Sequence, residues 1–375
     1  MKIRFFAALL GSVIACIGHA ADWHVNVESG NDENTGAAPK SAFITIQRAV
    51  NLCGEGDTIY LHPENAVARQ MVKISGKSKF TIEGNGVTLE AADPLPEDGW
   101  EMLGDNLFRR KLPQTRWDRH LLIVDGTMQR MNRTQSSNSP NFPKINDLKT
   151  GEFRFDNIEG TKEGWLTVCG STKNLEWSVR PNGVATSGKC ENVMILKLNA
   201  RHALNDGFNV HGECVGFLFE YVKGYDCFDE GFSAHDDCEI RITEGEFWGN
   251  ENGVADVNRA ITQYERCIFR DNVNTDVLLW GKGHILKSCT IKNTTTAAAL
   301  VGGPRTEGQK GFIIQAVDLQ IIGDKPDGGK ARVRVNGGKL HIFISKFENV
   351  DFVPDGTEVE VQGSTLNGEP LKASL

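Results

Sequence analysis

The stretch DEGFSAHDD, residues 229–237, concentrates side chains that can transfer protons. It holds four acids and one histidine within nine residues. Histidine titrates near neutral pH and serves as a general acid or base, and a carboxylate can act as acid, base or metal ligand. The stretch is therefore a candidate for a catalytic centre or a metal site.

Related stretches recur along the second half of the chain. NDGFNVHGE (205–213) comes before it, and ENGVADVNR (251–259), NTDVLLWGK (274–282) and a looser copy, TTAAALVGG (295–303), follow. Short apolar segments separate the copies, without helical periodicity. Repeats of about two dozen residues built from short strands and polar turns are typical of a solenoid, whereas a propeller blade needs about 40–50 residues.

These repeats predict an all-β fold, a right-handed parallel β-helix that forms a single domain over residues 21–375. An amphipathic segment over residues 44–52 predicts a helix that covers the open N-terminal end of the core. Residues from about 93 to 180 interrupt the repeat and predict a β-rich insertion. After about residue 340, we expect a short strand-rich cap.

Five cysteines recur at or near the start of apolar runs, at intervals that match the repeat. They are Cys190, Cys214, Cys238, Cys267 and Cys289. Because cysteine packs as a small hydrophobe, the spacing predicts free thiols in one core column. Disulfides are the alternative, since the first twenty residues predict export.

Alternation along each strand decides which side chains can meet a ligand. Phe208, Val210, Phe232 and Ala234 should point into the core, so their neighbours should point outward. Coils stack at about 4.8 Å, which predicts that His211 lies over His235. The predicted catalytic residues are His211, His235, Asp206, Asp229, Glu230 and Lys282. The predicted substrate-binding residues are Asn209, Asp236, Asp237, Asn258, Arg259, Trp280 and Arg305. We expect a substrate groove along the strands that carry these residues and the histidines, and Ser233 should also face it.

Three resemblances to known families accompany these patterns. The N-terminal segment WHVNVESGNDENTGAAPKSAFITIQRAVNLCGEGDTIYLHP resembles the cap of secreted pectate-lyase-like β-helix proteins, which implies the fold. GFSAHDD resembles the GFDPHD motif of mannuronan C5-epimerases and places His235 on the motif's histidine and Asp236 on its final acid. However, Ser233 stands where that motif has a catalytic aspartate, and Ala234 where it has proline. NDGFNV and DEGFSA resemble the paired carboxylate segments of polygalacturonases, although ENGVADV replaces that family's Gly-His-Gly and its Arg-x-Lys signature is missing.

Three functions remain open at this point. The favoured one is a lyase or epimerase that removes the proton beside the carboxylate of a uronic acid, which needs a base, a proton donor and a cation. The alternative is a glycoside hydrolase that uses Asp206, Asp229 and Glu230, since inversion requires two carboxyl groups about 6.5–9.5 Å apart. A non-catalytic carbohydrate-binding solenoid is the third.

No cofactor is required by the sequence, but two ions could bind. Asp236 and Asp237 offer hard oxygen ligands for Ca²⁺, although the sequence lacks a GGxGxD repeat. His211, His235 and Asp237 could hold zinc. We favour an enzyme without a bound metal.

Charge and the first residues restrict partners and location. The formal net charge is −8, and no basic face is evident, so nucleic acid is not an expected partner. Residues 1–20 have a positive start, an apolar core and a small-x-small end at Ala20, which predicts a cleaved signal and a secreted or periplasmic protein. Lipidation of Cys16 is the alternative. No later run is apolar enough to span a membrane, and we expect a monomer that binds an anionic polysaccharide.

Overall fold

The computed structural model describes residues 20–136, 141–295 and 297–373. The predicted signal, except Ala20, lies outside the described residues, as does Cys16. No described helix has both the length and the apolar character needed to cross a membrane.

Three long parallel sheets run along a solenoid of about 13 turns, which confirms the predicted β-helix. Successive strands of each sheet come from successive coils. Sheet 1 contains Asp22–Asn26, Thr58–His62, Thr81–Glu83, Lys189–Glu191, Met194–Leu196, Glu213–Glu220, Glu239–Thr243, Ile261–Glu265, Gly283–Lys287, Ile313–Val317, Lys339–Phe343 and Glu358–Gln362. Sheet 2 contains Val67–Ala68, Thr88–Glu90, Asn199–Arg201, Lys223–Tyr225, Glu246–Trp248, Ile268–Arg270, Thr290–Asn293, Gln320–Gly323, Lys346–Glu348, Thr365–Leu366 and Glu369–Pro370. Sheet 3 contains Val72–Ser75, Val184–Ser187, Phe208–Val210, Glu230–Ala234, Asn252–Asp256, Thr275–Leu279, Ala298–Gly302, Ala331–Asn336 and Val350–Asp355.

Sheet 3 carries the repeated stretches in nearly the predicted register. Phe208, Phe232, Val254, Val277 and Leu300 pair in succession across five coils. The pairing of Leu300 with Val277 places the looser copy at residues 297–305, two residues later than the alignment of TTAAALVGG. The small alanines of this segment gave no side-chain landmark for the correct offset.

Aromatic side chains fill the interior beneath sheet 3. Phe208, Phe219, Phe232, Phe247 and Phe269 are fully buried. The rings of Phe219 and Phe232 meet edge to face with centroids 5.0 Å apart, and those of Phe247 and Phe269 stack at 5.8 Å. Such ladders join consecutive coils because each ring contacts residues of the coils above and below.

The cysteines are free thiols in the described residues, as predicted, but they form two columns instead of one. Cys190 pairs with Cys214 at the start of sheet 1, and Cys238 continues this column. Cys267 and Cys289 lie later in the coil, just before strands of sheet 2. The single column was wrong because the interval of 29 residues between Cys238 and Cys267 exceeds one coil.

A short helix, Ile46–Leu52, closes the N-terminal end of the core. Its N-cap Thr45 accepts a hydrogen bond from the backbone N–H of Arg48, 3.3 Å away. The Asp32 carboxylate in turn accepts bonds from the Thr45 backbone and hydroxyl. Short 3₁₀ helices occur at Pro39–Ser41, Arg116–Asp118, Ile145–Asp147 and Glu307–Gln309.

The predicted β-rich insertion forms two small antiparallel sheets. One contains Ala92–Pro94, Leu122–Val124, Thr127–Gln129 and Leu175–Ser178, and the other Glu101–Gly104, Leu107–Pro113, Phe153–Asn157 and Glu163–Cys169. The chain leaves the solenoid after Thr88–Glu90 of sheet 2 and returns at Val184–Ser187 of sheet 3. The insertion therefore replaces one turn between sheets 2 and 3.

The C-terminal end differs from the expected strand-rich cap after about residue 340. Regular parallel coils continue to Glu358–Gln362, which pairs with Lys339–Phe343. The final antiparallel hairpin joins only Thr365–Leu366 and Glu369–Pro370. Apolar and charged residues alternate along the strands of these late coils. A strand-rich cap would show the same alternation, so the sequence alone did not reveal that the coils continue.

The interior ladder makes Phe232 a sensitive position. Phe232→Ala should lower the free energy of unfolding by about 3–5 kcal/mol, because the removed ring leaves a cavity between coils. Denaturant unfolding followed by circular dichroism measures this loss. Met102→Ala is the control, since Met102 is 69% exposed; equal effects of the two substitutions would contradict the ladder's role.

Candidate active site

Three carboxylates meet in the turns that lead from sheet 2 into sheet 3. Oxygen atoms of Asp206, Asp229 and Glu230 all lie within 4.8 Å of one another. The register places Asp206 beside Glu230 on the next coil, because Phe208 pairs with Phe232. We call these three residues the carboxylate cluster.

Asp206 is the centre of the hydrogen bonds in this cluster and is 1% exposed. Its Oδ2 accepts bonds from Asn209 Nδ2 at 2.7 Å, from the Ser233 hydroxyl at 2.7 Å and from Asn205 Nδ2 at 2.9 Å. Its Oδ1 accepts the backbone N–H of Glu230 at 3.2 Å. These partners fix the carboxylate against the outer side of sheet 3.

The insertion covers the cluster and contributes residues that the sequence did not indicate. Arg119 Nη1 lies 3.1 Å from Asp229 Oδ2 and donates to the backbone oxygen of Leu204 at 3.2 Å. The buried carboxylate of Glu251 accepts the backbone N–H groups of Gln135 and Ser136. Glu251 follows Asp229 in the repeat and could have been found by extending that column. Nothing in the sequence pointed to Arg119, because the path of the insertion is not encoded in the repeat.

The pKa values of two cluster acids are raised. Burial and the neighbouring Asp206 raise the pKa of Asp229 to about 7, although Arg119 opposes them. Burial, Asp229 and Asp206 also raise the pKa of Glu230 well above its usual range. The cluster is thus able to hold a proton near neutral pH. Its oxygens could instead surround a cation, since ligands of one Ca²⁺ lie about 2.3–2.6 Å from the ion.

A second group of predicted residues lies at the other end of the same strands. The imidazoles of His211 and His235 stack with centroids 3.9 Å apart and planes inclined by 13°, as the repeat predicted. His211 Nδ1 lies 3.2 Å from Asp236 Oδ2, which also accepts the backbone N–H of Gly212 at 3.0 Å. Burial and the adjacent His211 lower the pKa of His235. His235 is therefore neutral at neutral pH and suited to accept a proton.

The predicted calcium and zinc ligands are not arranged around an ion. Both carboxylate oxygens of Asp237 contact the guanidinium of Arg259. The two imidazoles lie face to face, so their ring nitrogens do not converge on one point. Among the described residues, only the carboxylate cluster brings three or more potential ligands together. Asp236 and Asp237, the possible calcium ligands, do not belong to that group.

The remaining predicted residues line the continuation of this edge. Lys282 is exposed and makes none of the ion pairs found in the described residues. The Arg305 guanidinium lies 3.5 Å from the centroid of the Trp280 ring and so covers one face of it. The Asn258 amide donates to Asp236 Oδ1 at 3.3 Å.

The expected groove along Asn209 and Ser233 is not open. Ser233 is fully buried and Asn209 is 9% exposed, and both side chains bond to Asp206. They do point away from the core, as alternation predicts, but Asp206 and the surrounding turns cover them. The accessible groups are His211 and Asp236, with exposed side-chain fractions of 42% and 45%, and His235 beside them is half-buried.

Protonation of the cluster should make stability depend on pH. The folded state raises the pKa of Asp229 from 3.8 to about 7, so its stabilising contribution is complete below about pH 3.8 and is lost as the pH rises through 7. Asp229→Asn should therefore reduce the fall in melting temperature between pH 4 and pH 8. Thermal unfolding at a series of pH values tests this, with Asp324→Asn at an exposed position as control; an unchanged slope in Asp229→Asn would exclude this role.

Comparisons with known proteins agree on the fold. No protein-family model and no curated protein matches the sequence. Among solved structures, a glycoside hydrolase superposes with a TM-score of 0.57 at 10% identity and covers 92% of this chain and 96% of its own. A complex of XylC with xylose has a TM-score of 0.54 at 11% identity, with 91% and 70% covered. Pectate lyase Pel9A has a TM-score of 0.51 at 9% identity, with 95% and 80% covered. The chain has the parallel β-helix fold that these proteins share.

Proposed function

We propose that this protein is an exported polysaccharide-active enzyme that removes the proton beside the carboxylate of a uronic acid residue, as a lyase or an epimerase. The observation that carries the proposal is the stacked pair of the partly exposed His211 and the half-buried His235 beside Asp236. The structural neighbours include a glycoside hydrolase and a pectate lyase, which supports a carbohydrate substrate.

His235 is the proposed base. Its lowered pKa keeps the imidazole neutral at neutral pH, so a ring nitrogen can accept the substrate proton. His211 is the proposed proton donor, because the Asp236 carboxylate orients its ring through Nδ1 and compensates positive charge on it. The stacked imidazoles of His211 and His235 lie on neighbouring coils, close enough for both to reach one sugar residue of the substrate.

Lys282 is the proposed cation for the substrate carboxylate. Proton removal beside a carboxylate builds negative charge, which a nearby cation stabilises. Arg259 is already paired with Asp237, whereas Lys282 has no ion-pair partner in the described part of the chain. Lys282 also helps to lower the pKa of Asp237, after Arg259, which places its ammonium close to this edge.

A glycoside hydrolase is the second candidate, and the raised pKa of Glu230 favours it. A protonated carboxyl group beside an ionised one is the usual arrangement for hydrolysis. However, Asp206 and Asp229 are 1% and 3% exposed, and the oxygens lie within 4.8 Å. That spacing is shorter than the about 6.5–9.5 Å that leaves room for the attacking water of an inverting enzyme.

Replacing the base should abolish most turnover. We expect His235→Ala to lower kcat/KM by about 10²–10⁴-fold, the usual contribution of a general base. The assay follows ultraviolet absorbance of unsaturated uronate, and deuterium uptake from D₂O beside the carboxylate, on alginate, pectate and glycosaminoglycans. His341→Ala is the matched control, because His341 lies in a late coil of sheet 1 with Glu360 as its partner.

The products separate the three functions. New reducing ends without absorbance or deuterium would favour the hydrolase and reject proton abstraction. Binding of glycans without any product would leave a carbohydrate-binding solenoid.

The rate should persist into mildly acidic solution. Because the pKa of His235 is lowered from 6.5, the base of the free enzyme is still largely unprotonated at pH 6.5. The midpoint of the acidic limb of the kcat/KM profile should therefore lie at a pH below 6.5. An acidic limb centred above 6.5 would argue against His235 as the base.

A further inference from the structure

A small polar cavity lies where the insertion meets the turn before sheet 3. Its volume is about 270 Å³, and its walls include Trp117, Arg119 and Arg133 from the insertion and Asn205 and Phe228 from the solenoid. This volume is below the range of about 300–1,000 Å³ of pockets for drug-sized ligands. The cavity therefore has room for a single sugar unit.

Trp117 stands at this cavity in an unusual backbone conformation. Its φ is 60°, in the left-handed region that bulky residues rarely adopt, and its side chain is 52% exposed. The guanidinium of Arg116 lies 4.2 Å from its ring centroid, and that of Arg119 lies 5.0 Å away. A strained residue of this kind persists only where the surroundings hold it, and such residues cluster at ligand sites.

Arg133 supplies a second, buried cation. It is 6% exposed and donates from Nη1 to His120 Nδ1 at 2.8 Å and from Nη2 to Asp118 Oδ2 at 3.2 Å. Its Nε is buried and has no hydrogen-bond partner among the described residues. With both Nη atoms engaged and Nε buried, Arg133 contributes a buried positive charge to the cavity wall, and such a charge favours a nearby anion.

The charges of the cavity select an anion. Arg119 and Arg133 are cationic residues of the wall, and Arg119 is paired with Asp229. Arg116 is not a wall residue; it stacks on Trp117 at the cavity, is exposed, and makes none of the ion pairs found in the described residues. Asp118 is the opposing carboxylate at this wall, and it is engaged by Arg133 and by Asn157 Nδ2. Planar guanidinium groups match the geometry of a carboxylate, and they bind it in a bidentate manner.

We propose that the Trp117 cavity is a subsite that binds a uronate residue of the polysaccharide, with the exposed Arg116 on its carboxylate, the buried positive charge of Arg133 behind it and Trp117 at the cavity wall. This inference rests on the proposed polysaccharide function, since it extends the substrate chain beyond the histidine pair. Asn205 links the cavity to the histidine pair. Its side chain lines the cavity and donates to Asp206, and Asp206 accepts a hydrogen bond from Ser233, two residues before His235. The insertion thus contributes directly to substrate recognition.

The test measures binding without turnover, in the His235→Ala variant. Calorimetric titration with a short oligouronate should show about tenfold weaker binding after Arg116→Gln, because glutamine lacks the charge that pairs with the carboxylate and this position is exposed. Trp117→Ala should weaken binding as well. Arg332→Gln is the matched control: Arg332 is also exposed, lies on a late strand of sheet 3, and forms none of the ion pairs found in the described residues.

The outcomes are distinct from those of the activity assay. Unchanged oligouronate binding in Arg116→Gln would overturn the subsite, as would equal binding of a neutral or a sulfated neutral oligosaccharide. Arg116-dependent uronate binding supports the subsite even if no uronate polymer is turned over, in which case the proposed reaction alone fails.

Discussion

The parallel pairing of successive coils is the constraint on which the rest of this structure depends. Each strand between the two ends of sheet 3 hydrogen-bonds to the coil before and after it, so a residue's neighbours are fixed by the repeat length. The buried phenylalanines hold this register, because a shift by one residue would turn Phe208 and Phe232 outward. The same register stacks His211 on His235 and brings Asp206 beside Glu230.

Burial of several carboxylates in one turn is costly and is balanced by the insertion. Arg119 faces Asp229, and backbone N–H groups of Gln135 and Ser136 satisfy Glu251. Arg130 also enters the solenoid, where it donates to the backbone oxygens of Cys227 and Gly249. These contacts join the insertion to three coils. The position of the insertion follows from topology, since its chain leaves and re-enters at the same turn between sheets 2 and 3.

The two groups of titratable side chains differ in what they can do. The carboxylate cluster is buried and rich in internal hydrogen bonds, which suits it to hold a proton or a cation and to support the insertion. The histidine pair is less buried and has a carboxylate partner. Lys282, which makes no ion pair within the described part of the chain, lies farther along the same edge, near Asp237. Asp206 connects the groups, because its carboxylate touches Ser233 at the position where the epimerase motif has an aspartate. A carboxylate from the preceding coil therefore stands next to the residue that departs from that motif.

The sequence by itself determined the β-helix, the inward phenylalanines and the histidine stack. These follow from a repeat with strong landmarks, because strand alternation and coil stacking act on residues whose spacing can be counted. It did not determine the two cysteine columns or the offset of the alanine-rich coil, where the repeat length changes and landmarks are absent. Only the tertiary structure showed that Ser233 and Asn209 are covered and that Asp237 is paired with Arg259. It also brought Arg119, Arg133 and Trp117 to the carboxylate turn. Those contacts join segments about 100 residues apart whose side chains follow no common period, so their meeting depends on how the insertion folds back onto the coils.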